Sequence, residues 1–268
     1  MCASAHAPGS LLARTIFQPI EESSRLFFGQ ASTSSDAVAA SSSRLATLLH
    51  GHLLLALPFL TVAPAYVGRA MALVLSGSRW TPAGRIAATD ALRAYCYYVP
   101  ILGLNGVLEA FVQAVGSEAE LGTLSSVFVL CSGVYALALF VLARGIAPSP
   151  SALVYAGAIS MSVRLLWNAR FARRWLAERG WPLPGLKTLL PHWAGVGAWM
   201  AAGIVAQRTR HLGVVRHVGF GALAGVLALC MTCVRASLCS ADARSAATER
   251  AALRQLGTTL RRRRAKTA

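Results

Sequence analysis

Polar side chains recur at helical spacing inside one long apolar stretch of the sequence. The only charged residue of this stretch is Glu109, with Asn105 four residues before it and Gln113 four residues after it. Tyr98 lies seven residues before Asn105, and Tyr95 lies three before Tyr98, so a helix places all five on one face. Such groups at membrane depth can bind a polar substrate, or they can join the helix to a neighbour by hydrogen bonds. The spacing leaves both interpretations open.

A second charged residue lies within apolar sequence, at Arg164. Ser160 and Asn168 are four residues away on either side, so the three share a helix face. An arginine at a helix end can extend its charged head to the membrane surface, and this needs no functional role. The alternative is an arginine inside the bundle that pairs with Glu109 or with an anionic ligand, since a guanidinium group suits a phosphate.

The N-terminal segment mixes apolar residues with charges and is interrupted by Pro19. Its charged and amide residues follow helical steps: Arg14, Gln18, Glu21, Glu22 and Arg25. A proline inside such a stretch predicts a broken or kinked helix. The two carboxylates between two arginines predict a buried ionic network or part of a polar pathway, with an amphipathic surface helix as the simpler alternative.

The sequence does not support the other candidate sites. Cys230 and Cys233 form a CxxC pair within an apolar helix, where packing is the usual role of cysteine. His50 and His52 are two residues apart and would face different sides of a helix. No nucleotide loop, Ser-His-Asp arrangement or paired-carboxylate hydrolase motif is evident. We therefore expect no enzyme activity, no cofactor and no metal site.

The composition is that of a membrane protein. Of the 268 residues, 55% are hydrophobic and only 13% are charged, and the mean hydropathy is +0.53. A soluble domain has roughly a quarter charged residues. The net charge of +16 comes from basic residues between the apolar runs and near the C-terminus. This distribution favours contact with membrane lipid over nucleic acid, whose binders cluster basic residues on polar domains.

Six continuous apolar runs predict six membrane-spanning helices of about 20 residues each. They cover residues 45–68, 94–117, 121–143, 145–163, 188–207 and 214–234. The N-terminal segment would add a seventh helix. Runs of this length exclude the short alternating strands of a β-barrel. We therefore expect an all-α, polytopic membrane protein with six to seven transmembrane helices.

The chain divides into four predicted regions. Residues 1–30 contain the N-terminal helix with its FQPIEES sequence, and residues 31–44, rich in serine and alanine, are predicted to form a flexible loop. Residues 45–234 form the helix bundle. Residues 235–268 are a basic tail that includes four consecutive arginines.

Two motifs resemble the Rft family of endoplasmic-reticulum membrane proteins. The first is FQPIEES, beginning at Phe17, with two phenylalanines soon after it. The second is RAYCYYVPILGLNGVLEAF at residues 93–111, which contains Tyr-Cys-x-Tyr and Asn-Gly-x-x-Glu-x-Phe. A third stretch matches in part, because Met161 and Arg164 agree with the family pattern while Gly157 and Ser160 replace two asparagines. Two motifs in the family's order make the resemblance specific.

The resemblance implies a fold and a function. Rft proteins are similar to lipid flippases of the multidrug/oligosaccharidyl-lipid/polysaccharide exporter superfamily, which have two helix bundles. It implies that this chain is one bundle, the C-terminal half, with a first bundle as its partner. The implied role is translocation of a dolichol-pyrophosphate-linked, mannose-rich oligosaccharide across the endoplasmic reticulum membrane for N-linked glycosylation. A non-transporting scaffold or accessory protein of that pathway is the alternative.

The same resemblance suggests which residues would contact such a glycolipid. Arginines would contact the pyrophosphate, carboxylates would balance the charge, and amides would hydrogen-bond sugar hydroxyls. The candidate substrate-binding residues are Arg14, Gln18, Glu21, Glu22, Arg25, Asn105, Glu109, Gln113 and Arg164.

We predict that the C-terminus faces the cytosol. With this orientation, sixteen of the 26 basic residues lie on the cytosolic side, nine lie on the other side and Arg164 lies within the membrane, a bias that the positive-inside rule favours. A glycosylation acceptor tag placed after Ala268 is therefore expected to stay unmodified in microsomes. The control is the same tag in the 76–90 region, which is expected to be modified. Modification of the C-terminal tag would reverse the predicted orientation.

Overall fold

The computed structural model describes residues 18–32, 34–75, 80–145 and 149–232. In these ranges the chain is helical and contains no strand, which confirms the all-α prediction. Nine α-helices are numbered here in chain order: α1 (Gln18–Phe28), α2 (Ser35–Thr61), α3 (Ala63–Val74), α4 (Pro82–Val115), α5 (Glu118–Gly145), α6 (Pro150–Glu178), α7 (Leu186–Leu189), α8 (Trp193–Arg208) and α9 (Val214–Thr232). Short 3-10 turns occupy Gly29–Ser32 and Thr209–His211. Arg14 and the basic tail lie outside the described residues.

Four of these helices, α2, α4, α5 and α9, are long and apolar enough to cross a membrane. Much of the surface of α5 is apolar and exposed, including Val129, Leu137 and Phe140. Exposed apolar side chains on this scale are typical of surfaces that face lipid. The described helices therefore fit a multi-pass membrane protein, while the total of six to seven spans stays a prediction.

The pair α4 and α6 is the centre of the bundle. These two helices make the most extensive contact in the described structure, with α1 and α2 packed on α4 and α5 packed on α6. Aromatic rings connect three of the helices: Phe28 lies edge-on to Phe111 at 5.1 Å, and Phe111 lies edge-on to Trp175 at 5.5 Å. Edge-to-face ring pairs of this kind add to the free energy gained from burial. This core fixes the relative positions of α1, α4 and α6.

The prediction of a flexible loop at residues 31–44 is wrong from Ser35 onward, because α2 begins there. The side-chain oxygen of Ser34 accepts a hydrogen bond from the Ala37 amide at 3.2 Å and caps the helix N-terminus. Alanine favours helices, and Ser41 and Ser42 are buried against neighbours. Tertiary packing thus stabilises as helix a segment whose composition is typical of loops.

The predicted first span, residues 45–68, is broken into two helices. Helix α2 contains Pro58 and ends at Thr61, and α3 starts at Ala63 with a proline in its first turn. A proline removes a backbone donor and favours a break of this kind. Gly203 of α8 packs directly against the Thr61 carbonyl at the break. The contact positions α8, and with it α9, against the α2–α3 junction.

We predict that Gly203→Ala destabilises the bundle. A Cβ atom at Gly203 would lie 2.7 Å from the Thr61 carbonyl oxygen, which is backbone and cannot rotate away. The expected loss is about 1 to 3 kcal/mol in the free energy of unfolding, measured by thermal unfolding of the purified chain in detergent. The matched control is Gly197→Ala in the same helix, where a Cβ meets nothing within 4 Å. Equal stability of the two variants would contradict the close packing at Thr61.

Candidate functional site

The carboxylate of Glu109 is the centre of a polar cluster between α4 and α6. Its Oε1 atom accepts a hydrogen bond from Arg164 Nη2 at 2.6 Å and another from Gln113 Nε2 at 3.0 Å. Its Oε2 atom accepts from Asn105 Nδ2 at 3.0 Å. The four-residue steps along α4 bring both amides to one carboxylate, as the spacing predicts. Glu109 is thus held by three donors, one of them charged.

A buried amide pair lies beside the ion pair. Asn168 Nδ2 donates to Asn105 Oδ1 at 3.0 Å, and both asparagines are buried. Because Arg164 and Asn168 are four residues apart on α6, the two helices are joined in parallel by an ion pair and an amide pair. The sequence placed Asn168 on the face of Arg164 but did not include it among the site residues. Its partner on α4, Asn105, is identified only by the packing of the two helices.

Arg164 lies near the middle of α6 and points inward, so the explanation of an arginine at a helix end does not hold. Its Cζ atom lies 3.7 Å from the centroid of the Phe128 ring of α5, close enough for a cation–π interaction. Its Nε atom is buried and has no hydrogen-bond partner among the described residues. The guanidinium therefore bridges three helices and keeps one buried donor that no described protein atom satisfies.

The two sequence motifs meet at this cluster. Glu21 of the first motif lies directly over Gly106 of the second, and a Cβ atom at position 106 would overlap its carboxylate. Glu21 is half-buried and interacts electrostatically with Glu109 and Arg164. A larger residue at position 106 would displace this carboxylate from its place over α4. The second motif thus supplies Glu109 to the cluster and, at Gly106, the space that Glu21 of the first motif occupies.

The remaining predicted residues of α1 lie away from the cluster. Gln18 donates to Glu22 at 2.9 Å on the exposed side of the helix, and Arg25 is also exposed. The structure therefore brings together Glu21, Asn105, Glu109, Gln113 and Arg164. It leaves Gln18, Glu22 and Arg25 exposed and outside that cluster, although Arg25, four residues after Glu21, interacts electrostatically with the Glu21 carboxylate.

A groove of about 370 Å³ opens beside the ion pair, between α4, α5 and α6. Arg164 lies at one end of the groove, and its walls carry the aromatic residues Tyr98, Phe128 and Tyr135. Ser160 also lines it, with its hydroxyl donating to the Cys131 carbonyl at 2.7 Å. Aromatic faces, hydroxyl groups and one cation can contact a sugar or a phosphate. The described residues contain no group of three or more side chains that could hold a metal ion.

Comparison with known proteins identifies the family. The family model for Rft protein matches residues 3–243, which is most of the chain. The chain belongs to the Rft protein family. This confirms the resemblance seen in the two motifs.

Three relatives show how much of the family protein this chain represents. It is 31% identical over 172 residues to the "Man(5)GlcNAc(2)-PP-dolichol translocation protein RFT1" of Saccharomyces cerevisiae, covering 63% of this chain and 29% of the yeast protein. The mouse protein of the same name is 30% identical over 207 residues (74% and 37%), and the Drosophila melanogaster protein 28% over 232 residues (82% and 40%). The chain thus matches between 29% and 40% of the length of these relatives. No solved structure matches the chain.

We predict that Glu109 and Arg164 are energetically coupled. A double-mutant cycle with Glu109→Ala and Arg164→Ala is expected to give a coupling free energy on the order of 1 to 2 kcal/mol, measured by unfolding in detergent. The control is the Glu120–Arg174 pair between α5 and α6, whose atoms are 3.5 Å apart and whose arginine is mostly exposed. That pair is expected to show almost no coupling. A coupling no larger than in the control pair would refute the role of Glu109 as the partner of Arg164.

Proposed function

We propose that this chain takes part in translocating a dolichol-pyrophosphate-linked oligosaccharide across the endoplasmic reticulum membrane. The observation that carries the proposal is the Glu109–Arg164 pair at the point where the two family motifs meet. The relatives' printed names as translocation proteins support the same role. We propose no catalytic step and no cofactor. A further set of helices, matching the part of the relatives that this chain does not cover, is the proposed partner.

The geometry suggests how such a site would handle the anionic headgroup. In the structure Arg164 is neutralised by Glu109, and its buried Nε atom keeps an unused donor. A pyrophosphate oxygen that accepts from Nε would compete with the Glu109 carboxylate for the guanidinium. Asn105 and Gln113, released from Glu109 in part, would hydrogen-bond sugar hydroxyls. Exchange of one anion for another keeps the arginine paired at each stage, and the amide hydrogen bonds that remain would stabilise the Glu109 carboxylate.

The polar cluster also supports a second candidate function, a non-transporting scaffold of the glycosylation pathway. Among the described residues, each hydrogen bond to Glu109 comes from α4 or α6, an arrangement that also serves to hold two helices together. In that case removal of Glu109 would lower the amount of folded protein and glycosylation together. In the transport case glycosylation would fall further than the amount of folded protein. The two functions are therefore distinguished by protein level.

We predict that Glu109→Ala reduces function more than Glu118→Ala. The experiment replaces the matched region of the yeast relative with this chain and measures glycosylation of a reporter in cells that lack the native protein. Glu109 lies in the site, whereas Glu118 is exposed at the start of α5, where a lone charge contributes little. We expect a loss of glycosylation for Glu109→Ala that is larger than the loss of protein caused by leaving Arg164 unpaired. Equal glycosylation in the two variants would reject the site, and a matching loss of protein would favour the scaffold.

A further inference from the structure

A second polar groove lies at the opposite end of α4 from Glu109. It has a volume of about 340 Å³ and lies between α3 and the first turns of α4. The residues that line it include Gly68, Met71, Arg85, Ile86, Asp90 and Arg93. Two arginines therefore line one groove between two helices.

The position of the groove along α4 places it near one membrane surface. Arg85 precedes Glu109 by 24 residues, and at 1.5 Å per residue this is about 36 Å along the helix. The hydrocarbon core of a bilayer is about 30 Å thick. Helix α4 has 34 residues, so it extends beyond the core. The apolar run of α4 begins at Ala94, so the α4 residues of the groove precede it and lie at a membrane boundary, at the end of the helix far from the Glu109–Arg164 pair.

The groove carries a net positive charge. Arg93 Nη1 donates to Asp90 Oδ1 at 3.2 Å, which leaves Arg85 without an ion pair among the described residues. Arg93 also lies against α3, because a Cβ atom at Gly68 would be 3.5 Å from its Nη2. The Thr89 hydroxyl donates to the Arg85 carbonyl at 2.8 Å, so the two guanidinium groups are the main donors available to a ligand.

The surface next to the groove is also positively charged. Arg69, one residue after Gly68, donates through Nη2 to the carbonyls of Arg210 at 2.6 Å and Leu212 at 2.5 Å. These bonds hold the turn between α8 and α9 against α3. The turn brings the exposed arginines Arg208, Arg210 and Arg216 to this side of the bundle. A basic surface held in place by hydrogen bonds is a fixed feature of the fold.

Apolar side chains line the same groove. Ile86 of α4 is 64% exposed, and Met71 and the exposed Ala72 line the groove from α3. Exposed aliphatic residues beside arginines are typical of the membrane boundary, where acyl chains meet charged headgroups. A soluble anion would gain nothing from these apolar neighbours, whereas a lipid would contact both kinds of surface.

We propose that the groove between α3 and α4 binds the phosphate group of an anionic membrane lipid. The guanidinium groups of Arg85 and Arg93 donate hydrogen bonds to the phosphate, and the lipid's acyl chains lie along Ile86 and Met71. The ligand class is a lipid phosphate with an exposed negative charge, at the membrane surface near the end of α4 far from the Glu109 site. The inference does not depend on the proposed function, since any such lipid satisfies the chemistry.

The test measures binding of a short-chain phosphatidate to the purified full chain in neutral detergent, by native mass spectrometry. Near a membrane each arginine contributes about 1 kcal/mol to binding of an anionic lipid, which is about fivefold in affinity. We therefore expect Arg85→Gln and Arg93→Gln each to weaken binding about fivefold, and the double variant about 25-fold. The matched control is Arg144→Gln, an exposed arginine at the end of α5 that lies over Phe140 and outside the groove. It is expected to leave binding unchanged.

A second variant protects the test against simple misfolding. Asp90→Asn removes the carboxylate that competes for Arg93, so it is expected to tighten phosphatidate binding, which an unfolded protein could not do. Phosphatidylcholine and inorganic phosphate serve as ligand controls, and both are expected to bind more weakly than phosphatidate. The proposal is overturned if Arg144→Gln weakens binding as much as the groove variants, if Asp90→Asn does not tighten it, or if inorganic phosphate binds as well as the lipid.

Discussion

The ion pair between Glu109 and Arg164 is the interaction on which the arrangement of this bundle depends. A single charged group inside a membrane costs several kcal/mol, so neither side chain can be placed there without its partner. Pairing them requires α4 and α6 to pack at one register, which the adjacent Asn105–Asn168 bond also fixes. The contact between α4 and α6, the most extensive in the described structure, follows from this requirement.

Small residues decide where the other helices can lie. Gly106 leaves the space in which the Glu21 carboxylate approaches the polar cluster, and Gly203 leaves the space in which α8 meets the backbone of the α2–α3 break. Lipid tails are as apolar as leucine, so helices in a membrane associate through close packing and hydrogen bonds. Here the two glycines act differently, because one admits a charged group to the site and the other positions helices outside it.

The two ends of α4 differ in net charge, and the difference matches their positions relative to the membrane. One end of the helix carries a neutralised pair within the bundle, and the other carries arginines with a single carboxylate between them. Inside the bundle a net charge would be too costly, whereas at the boundary excess positive charge is favoured by anionic headgroups. The same helix can therefore hold a balanced polar site at one level and a basic surface at another.

The sequence by itself determined the helical class, the polar face of α4 and the two motifs, because these depend on local spacing. Residues four apart on a helix share a face whatever surrounds them, so the links from Asn105 and Gln113 to Glu109 were predictable. Tertiary structure alone decided which group pairs with Arg164, and which of the adjacent carboxylates, Glu21 or Glu22, reaches the site. It also made a helix of the serine-rich segment after Ser34. These outcomes depend on contacts between residues far apart in the chain, and local spacing carries no information about them.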